Sequence, residues 1–294
     1  MSGGTLAEAL RAFAGRRAAG GIRPVTPPRR PVVPADPAHA PDLAPAGPLL
    51  SVRREVGDLL GDSDLALDLR AALEAISAAD PETLDRGLLP ARDRRLEELA
   101  FLDLETTGFW GCPVLLVGLL HCEDGVLVTR QLVARDYPGE RELLAAALEQ
   151  LSPRGLVVTF NGKSYDLPCF RERCIVHRLA DAVTPHLAHV DLLHIARRLW
   201  RGRFANCRLV TLERHVVGFT RVGDVPSAEI PALFHRFVRT GDMAELRPVL
   251  HHGRVDLLTT AGLFAAAARL AAAEAPQAAG RLAALAAPPG AAVS

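Results

Sequence analysis

The stretch LAFLDLETTG, residues 99–108, reads as a buried β-strand that runs into a polar turn. Its first four residues are apolar, and Asp103 and Glu105 follow two positions apart. Because side chains on a strand alternate between its two faces, both carboxylates point to the same face of a sheet. Two acids at the end of a buried strand are costly unless they are solvated or bind cations. This strand end is therefore a candidate site for divalent metal ions.

The pattern after this strand predicts an α/β domain. Further strands are expected at Val114–Leu120, Val126–Val133, Leu156–Phe160 and His189–Leu193. Helices are expected at Glu140–Leu151, Leu167–Leu179, Leu193–Leu199, Ile230–Arg239 and Met243–Ala273, the last broken or kinked at Pro248 with a new helix from about Leu250. Three hairpin-connected strands followed by crossovers through helices imply a mixed sheet flanked by helices.

The regions outside this domain differ from it in composition. Residues 1–50 are rich in Pro, Ala and Arg and are predicted to be a disordered extension, which serves either as a solvated linker or as a basic nucleic-acid contact. Residues 51–96 are predicted to be a helical lead-in, with a helix at Leu65–Ile76 and another after Asp80. The main domain is assigned to residues 97–273, and residues 274–294 to a disordered tail.

Composition limits the class of protein. Charged residues make up 23% of the 294-residue chain and hydrophobic residues 49%, as in a soluble globular protein. The formal net charge is zero, so a site for a polyanion must be a local patch. No segment is expected to reach the roughly 18 to 20 apolar residues that a membrane span needs, so no membrane partner is expected.

The cysteines favour neither a zinc site nor a disulfide framework. They are odd in number, irregularly spaced and without a CxxC pair, and they fit reduced thiols in a cytoplasmic protein. The five are Cys112, Cys122, Cys169, Cys174 and Cys207.

Two later segments add carboxylates in unusual settings. Asp166 follows a strand and an Asn161-Gly162 turn and stands at the start of a helix. Asp256 lies on an apolar helix, and His252 is four residues before it, on the same side. His251 is offset by about 140° from Asp256 on a straight helix.

The four carboxylates and the histidine suggest a metal-dependent hydrolytic site. Two Mg²⁺ or Mn²⁺ ions would neutralise Asp103, Glu105, Asp166 and Asp256, because hard cations prefer oxygen ligands. Two such ions stabilise the attacking and leaving oxygens of a phosphoryl displacement. A histidine can take the proton from the attacking water.

These motifs resemble those of the DEDD exonuclease superfamily, which has the ribonuclease H-like fold. The resemblance rests on Asp-x-Glu-Thr-Thr-Gly from Asp103, Asn-Gly-Lys-Ser-Tyr-Asp from Asn161, and His-x3-Asp ending at Asp256. Residues 189–200, 212–218 and 226–231 also resemble the bacterial YprB-like branch. The likeness covers roughly residues 88–270.

The resemblance implies roles for individual residues. All four carboxylates would bind metal, with Asp103 bridging both ions and Glu105 helping to orient the water. Thr106 and Thr107, with Gly108 beside them, would face the terminal nucleotide of a 3′ end.

The general base has two candidates. His252 occupies the place of the tyrosine in the Tyr-x3-Asp spacing of some branches, and His251 fits the His-x4-Asp spacing of others. His252 is preferred because its spacing from Asp256 needs no distortion of the helix.

The segment around Asn161 supplies three candidate substrate contacts. Lys163, the only lysine of the chain, favours a phosphate contact over an incidental turn position. Tyr165 could equally stack on a base or pack under the turn. Asn161 either bonds substrate or stabilises the turn.

The leading hypothesis is a two-metal nuclease that removes nucleotides from the 3′ end of DNA or RNA, its polarity implied by the resemblance. The alternatives are an endonuclease on the same fold and a non-catalytic nucleic-acid-binding module. The sequence indicates no protein partner.

Overall fold

A computed structural model describes residues 32–33, 47, 49–60, 65–108, 111–179, 186–218 and 220–286, with side chains described between residues 47 and 272. Strands are numbered in chain order: β1 Val32–Val33, β2 Leu49–Glu55, β3 Leu99–Thr106, β4 Val114–Glu123, β5 Val126–Ala134, β6 Leu156–Thr159, β7 Ala188–Asp191 and β8 Thr220–Arg221. The α-helices are α1 Val56–Leu60, α2 Leu65–Ala78, α3 Glu140–Leu151, α4 Asp166–Val176, α5 Leu192–Trp200, α6 Leu209–Leu212, α7 Ile230–Thr240 and α8 Leu246–Ala286.

Six strands form one mixed sheet in the order β2-β5-β4-β3-β6-β7. Strands β2, β5, β4 and β3 pair antiparallel, whereas β6 and β7 continue from β3 in parallel. This arrangement confirms the predicted α/β fold, in which the three successive strands β3, β4 and β5 are antiparallel and parallel strands follow; β2 adds a fourth antiparallel strand. Strand β1 pairs separately with β8, in parallel.

The alternation along β3 divides the core between the two faces of the sheet. Leu102 and Leu104 pack in a cluster with α3 and α4. Leu99 and Phe101 face the other side, where Phe101 meets Phe264 of α8 edge to face at 5.9 Å between ring centroids. Asp103 and Glu105 are separated from Phe101 by two and four residues, so their side chains lie on the same face of β3 as Leu99 and Phe101. The strand therefore directs both acids towards α8.

The region before β3 contains a strand that the sequence analysis missed. Residues 51–55 were expected to be helical but belong to β2, the edge strand paired with β5. The helix at Leu65–Ile76 is confirmed as α2. No helix begins at Asp80, whose carboxylate instead accepts the N–H of Glu82 in a turn.

The termini are only partly described. Within residues 1–50, predicted to be disordered, Val32–Val33 and Leu49–Leu50 lie in strands, and most of the remainder falls outside the described residues. The predicted disordered tail is wrong for residues 274–286, which continue α8. Residues 287–294 are outside the described part.

Helix α8 runs through Pro248 without a break. Pro248 is its third residue, and the N–H groups of a first turn have no partner within a helix, so proline costs little there. Met243–Ala272 is long and apolar enough to cross a membrane by length and composition, contrary to the expectation from the sequence. In the best apolar window of this segment, 83% is buried inside the fold, as in a core helix.

Candidate active site

Asp103 and Glu105 lie on the face of β3 that α8 covers. Asp103 Oδ2 is buried and has no hydrogen-bond partner among the described residues. Burial raises the pKa of Asp103 well above its usual range, and the nearby carboxylates, Asp256 first, raise it further. Burial likewise raises the pKa of Glu105 to about 8. Burial and the neighbouring carboxylates therefore favour the protonated forms of both acids.

Asp166 is the third carboxylate of the site and comes from α4. It is the first residue of α4, and its Oδ1 accepts the backbone N–H of Leu104 at 3.1 Å. Burial raises the pKa of Asp166 to about 7, although the backbone amides that donate to it act in the opposite direction. The hydrogen bond to Leu104 fixes the start of α4 against the strand that carries Asp103 and Glu105.

Asp256 reaches the site from α8. Its Oδ1 lies 2.6 Å from Arg221 Nη2, and its Oδ2 lies 3.4 Å from His252 Nε2. The backbone of α8 passes closely over the strand at Gly253, where a β-carbon would lie 3.6 Å from Asp103 Oδ2. The absence of a side chain at Gly253 thus keeps the space over Asp103 open.

His252 lies among the carboxylates. Its Nε2 is 3.7 Å from Glu105 Oε1, and its Nδ1 is 2.9 Å from Asp224 Oδ1. Burial lowers the pKa of His252, but the hydrogen bond to Asp224 and the charges of Asp256 and Glu105 outweigh it and raise the pKa to about 9. The i, i+4 spacing therefore places His252 and Asp256 together as predicted.

His251 does not join the cluster. Its Nε2 is buried and has no hydrogen-bond partner among the described residues. Burial is also the main cause that lowers the pKa of His251. Of the two candidate bases, the fold brings only His252 into ion-pair distance of the site carboxylates.

A buried arginine that the sequence analysis did not single out supports this side of the site. Arg221 pairs with Glu213 and, at 3.0 Å, with Asp224 Oδ2, besides its contact with Asp256. Burial opposes its charge, but Asp256 and Glu213 outweigh that effect and raise the pKa of Arg221. Glu213 also accepts a hydrogen bond from Thr259 of α8 at 2.8 Å. Arg221 thus ties the segment after β8 to the helix that carries Asp256.

No sequence pattern predicted that Asp224 and Arg221 would lie at the site. Both lie at or just after the two-residue strand β8, in a segment without periodicity. Glu213 and Ser227 fall in stretches that resemble the YprB-like branch, but only the fold shows that Ser227 Oγ is 3.2 Å from His252 Nε2.

The donor set fits divalent cations. Across the described residues, no three acidic, histidine or cysteine side chains converge closely enough to hold an ion as they stand. Asp103 nevertheless has an unpartnered buried oxygen, and carboxylates raise one another's pKa throughout the cluster. Cations that prefer oxygen ligands would give the Asp103 oxygen a partner and would offset the repulsion between the carboxylates.

The turn after β3 is tied down by Tyr165. The Tyr165 hydroxyl lies 2.8 Å from Thr106 Oγ1 and donates to the Gly108 carbonyl at 3.1 Å. The Thr107 N–H donates to the Pro113 carbonyl at 3.0 Å. Of the two readings of Tyr165, these contacts favour packing under the turn.

Asn161 and Lys163 are held by one acid. Asp191 accepts the backbone N–H groups of both residues, each at 2.9 Å, and caps α5 through Leu193. Asn161 has a positive φ of 69° and lines the same cavity as Asp103 and Asp256. Lys163 lines a different cavity, with His189 and His194. The fold therefore brings Asn161, but not Lys163, into the cavity of the carboxylates.

Comparisons with known proteins agree with this architecture. The family model described as RNase_H superfamily matches residues 100–268, which include all four carboxylates. The chain is 34% identical over 181 residues to a Bacillus subtilis (strain 168) protein described as "Uncharacterized protein YprB". That region is 60% of this chain and 43% of YprB, so the chain spans less than half of that relative.

A solved structure shows a more distant likeness. It is the family B DNA polymerase from the hyperthermophilic archaeon Pyrobaculum calidifontis, with a TM-score of 0.44 and 14% identity over 56% of this chain and 24% of the polymerase. The family assignment rests on the family model, which covers more than half of the chain. The chain belongs to the RNase_H superfamily.

Proposed function

We propose that this chain is a two-metal-ion-dependent nuclease that removes nucleotides from the 3′ end of DNA or RNA. The observation that carries the proposal is the meeting of four carboxylates from β3, α4 and α8 around the unpartnered oxygen of Asp103. Nucleases of this superfamily typically use divalent metal ions. The 3′ polarity rests on the resemblance of the three motifs to DEDD exonucleases.

The carboxylates would hold the cations. Asp103, Glu105, Asp166 and Asp256 supply only oxygen ligands, which suit Mg²⁺ or Mn²⁺. Two such ions, when bound, supply stabilisation of the attacking and leaving oxygens of an in-line displacement at phosphorus. Arg221 holds Asp256 and the segment with Asp224 in place.

His252 is the proposed general base. With Nδ1 directed at Asp224, its Nε2 faces Glu105 and Asp256. The pKa of His252 is raised by its hydrogen bond to Asp224 and by the charges of Asp256 and Glu105. Cations held by the site carboxylates would offset the charges of Asp256 and Glu105 that favour the protonated ring, and a neutral His252 would then accept a proton from water at Nε2. Asp224 then acts as a positioning residue that fixes the tautomer.

The test is digestion of DNA and RNA strands labelled at either end. We expect Mn²⁺-dependent release of the label as a mononucleotide from 3′-labelled strands. Strands labelled at the 5′ end should instead shorten by one nucleotide at a time. Asp103→Asn keeps the size of the side chain and should abolish both patterns.

A closed single-stranded circle separates the alternatives. A circle has no ends, so its cleavage would show an endonuclease on the same fold and contradict the exonuclease. A folded protein that binds strands but digests none of these substrates would favour a non-catalytic binding module. Digestion that survives Asp103→Asn would exclude the proposed site.

A further inference from the structure

A second cavity, of about 800 Å³, opens where strands β6 and β7 end. Lys163, in the turn after β6, and Asp191, the last residue of β7, both line it. Its volume is within the range of about 300–1,000 Å³ typical of small-ligand sites. None of the four carboxylates of the proposed metal site is among its lining residues. The second cavity is therefore distinct from the proposed active site.

The second cavity lies next to the cavity that the site carboxylates line. Helix α5 contributes to both, with His194 and Arg198 in the second cavity and Arg197 in the other. The turn after β6 is divided in the same way, because Lys163 lines the second cavity and Asn161 the other. The two cavities are therefore neighbours that share a helix and a turn.

The two acids that line the second cavity have partners within the protein. Asp191 is 7% exposed and accepts three backbone N–H groups, at 2.9 or 3.0 Å. Asp85 accepts two hydrogen bonds of 2.6 Å from Arg198 and the N–H of Gly87 at 2.8 Å. A β-carbon at Gly87 would lie 2.6 Å from Arg198 Nη2, so the lack of a side chain there admits the pair. Neither carboxylate needs a cation from solution.

Two cationic side chains of the second cavity have no such partner. Lys163 and Arg86 line it and are exposed, and neither forms an ion pair within the described part of the chain. The backbone N–H of Lys163 is held by Asp191 at 2.9 Å, which fixes where its side chain begins. The unpaired charge of the second cavity is therefore positive.

We infer that the second cavity binds a phosphate group through Lys163 and Arg86. A lysine ammonium binds phosphate as a point charge, and an arginine guanidinium binds it with two parallel hydrogen bonds. The phosphate belongs either to the backbone of a nucleic-acid strand or to a free mononucleotide, which present the same oxygens. The inference goes beyond the proposed nuclease reaction, because neither the metal ions nor the site carboxylates take part.

Binding measured in EDTA tests this inference. Without divalent cations, the carboxylates of the neighbouring cavity repel a phosphate, so binding there is disfavoured. One probe is a labelled single-stranded oligonucleotide, followed by fluorescence anisotropy. The other is a 5′-mononucleotide, followed by calorimetry.

The Lys163→Ala/Arg86→Ala double variant is expected to lose affinity for the bound probe by about 10- to 100-fold, since hydrogen bonds to charged groups are lost. If the probe is the strand, the slope of log affinity against log salt should also fall by about 1.4. Each phosphate contact on a single strand contributes about 0.7 to that slope.

Two further variants serve as comparisons. Arg141→Ala/Arg239→Ala removes the same number of exposed cations from α3 and α7, outside the second cavity, and should leave binding unchanged. Lys163→Arg/Arg86→Lys keeps both charges and should retain most of the affinity and the salt slope.

The outcomes identify the source of the phosphate. Loss of strand binding alone would assign the site to a strand backbone, and loss of mononucleotide binding alone would assign it to a free nucleotide. Loss of both would show that it accepts phosphate from either source.

Three results would overturn the inference. They are a wild-type protein that binds neither probe, a Lys163→Ala/Arg86→Ala variant that binds as the wild type does, and an equal loss in the Arg141→Ala/Arg239→Ala control. The proposed nuclease is tested separately, because a failure of Mn²⁺-dependent digestion would contradict it and leave binding in EDTA unaffected.

Discussion

His252 Nδ1 lies 2.9 Å from Asp224 Oδ1, and this contact turns the other ring nitrogen, Nε2, towards Glu105 and Asp256. Asp224 is in turn held by Arg221 at 3.0 Å. The histidine on α8 is therefore oriented by a residue 28 positions earlier in the chain. A carboxylate that fixes a ring in this way influences catalysis without touching the substrate.

Asp224→Asn is expected to lower kcat by about 10- to 100-fold, the usual cost of removing such a supporting partner. The loss should appear in kcat rather than in KM, because Asp224 lies behind His252 and not in the cavity. Steady-state digestion with Mn²⁺ measures both values. Asp242→Asn, at an exposed cap of a short helical turn, is the control and should change neither. An effect on KM alone would contradict the positioning role.

The two histidines should differ in their effect on rate. His252→Ala is expected to lower kcat by about 10²- to 10⁴-fold, the range for loss of a general base. His251→Ala should leave kcat close to that of the wild type, because its ring does not reach the carboxylates. Single-turnover digestion distinguishes the two variants. A large loss of kcat in His251→Ala alone would identify His251, and not His252, as the general base.

Arg221→Met should destabilise the protein by about 3 kcal/mol, since it leaves the buried acids Glu213, Asp224 and Asp256 without their cation. Urea unfolding in EDTA measures the change. Arg236→Met breaks an exposed pair with Glu245 and should cost less than about 1 kcal/mol. Equal stabilities for the two variants would contradict the importance of the buried network.

Glu140 provides a pH-dependent contribution to stability. It is 1% exposed, accepts the N–H of Val114 at 2.8 Å, and pairs with Arg173 at 2.6 Å and with His177. Burial raises its pKa, but the hydrogen bonds from Arg173 and the other donors outweigh burial and hold the pKa below its usual value.

The sign follows from that lowered pKa. The stabilisation is fully present above the unfolded pKa of about 4.3 and is lost as the pH falls through the lower folded value. Glu140→Gln is expected to cost about 3 kcal/mol at pH 7 and progressively less below about pH 4. Urea unfolding across this range, with exposed Glu149→Gln on the same helix as control, measures it. A cost that does not change with pH would contradict this origin.

Much of the fold could be predicted because its strands carry local signals. The alternation in LAFLDLE placed Asp103 and Glu105 on one face, and the i, i+4 spacing placed His252 beside Asp256. Strand β2 was missed because an edge strand depends on pairing with β5, far away in sequence. The predicted break at Pro248 was wrong because proline is tolerated in the first turn of a helix, and the sequence did not show that α8 begins at Leu246.

The supporting residues of the site could not be predicted from local pattern. Asp224 and Arg221 sit in an irregular segment, and they approach His252 and Asp256 only because α8 packs beside it. The position of Arg197 at the cavity that Asp103 and Asp256 line likewise depends on how α5 follows β7. Such contacts belong to the tertiary structure, whereas the carboxylate motifs are visible in the sequence.

The most direct test of the central claim is a Mn²⁺ titration in which electron paramagnetic resonance counts the free ions. The wild-type protein is expected to bind two Mn²⁺ per chain, and Asp103→Asn, although folded, should lose at least one of them. A folded wild-type protein that binds no Mn²⁺, or an Asp103→Asn variant that binds as the wild type does, would contradict a metal site built on Asp103.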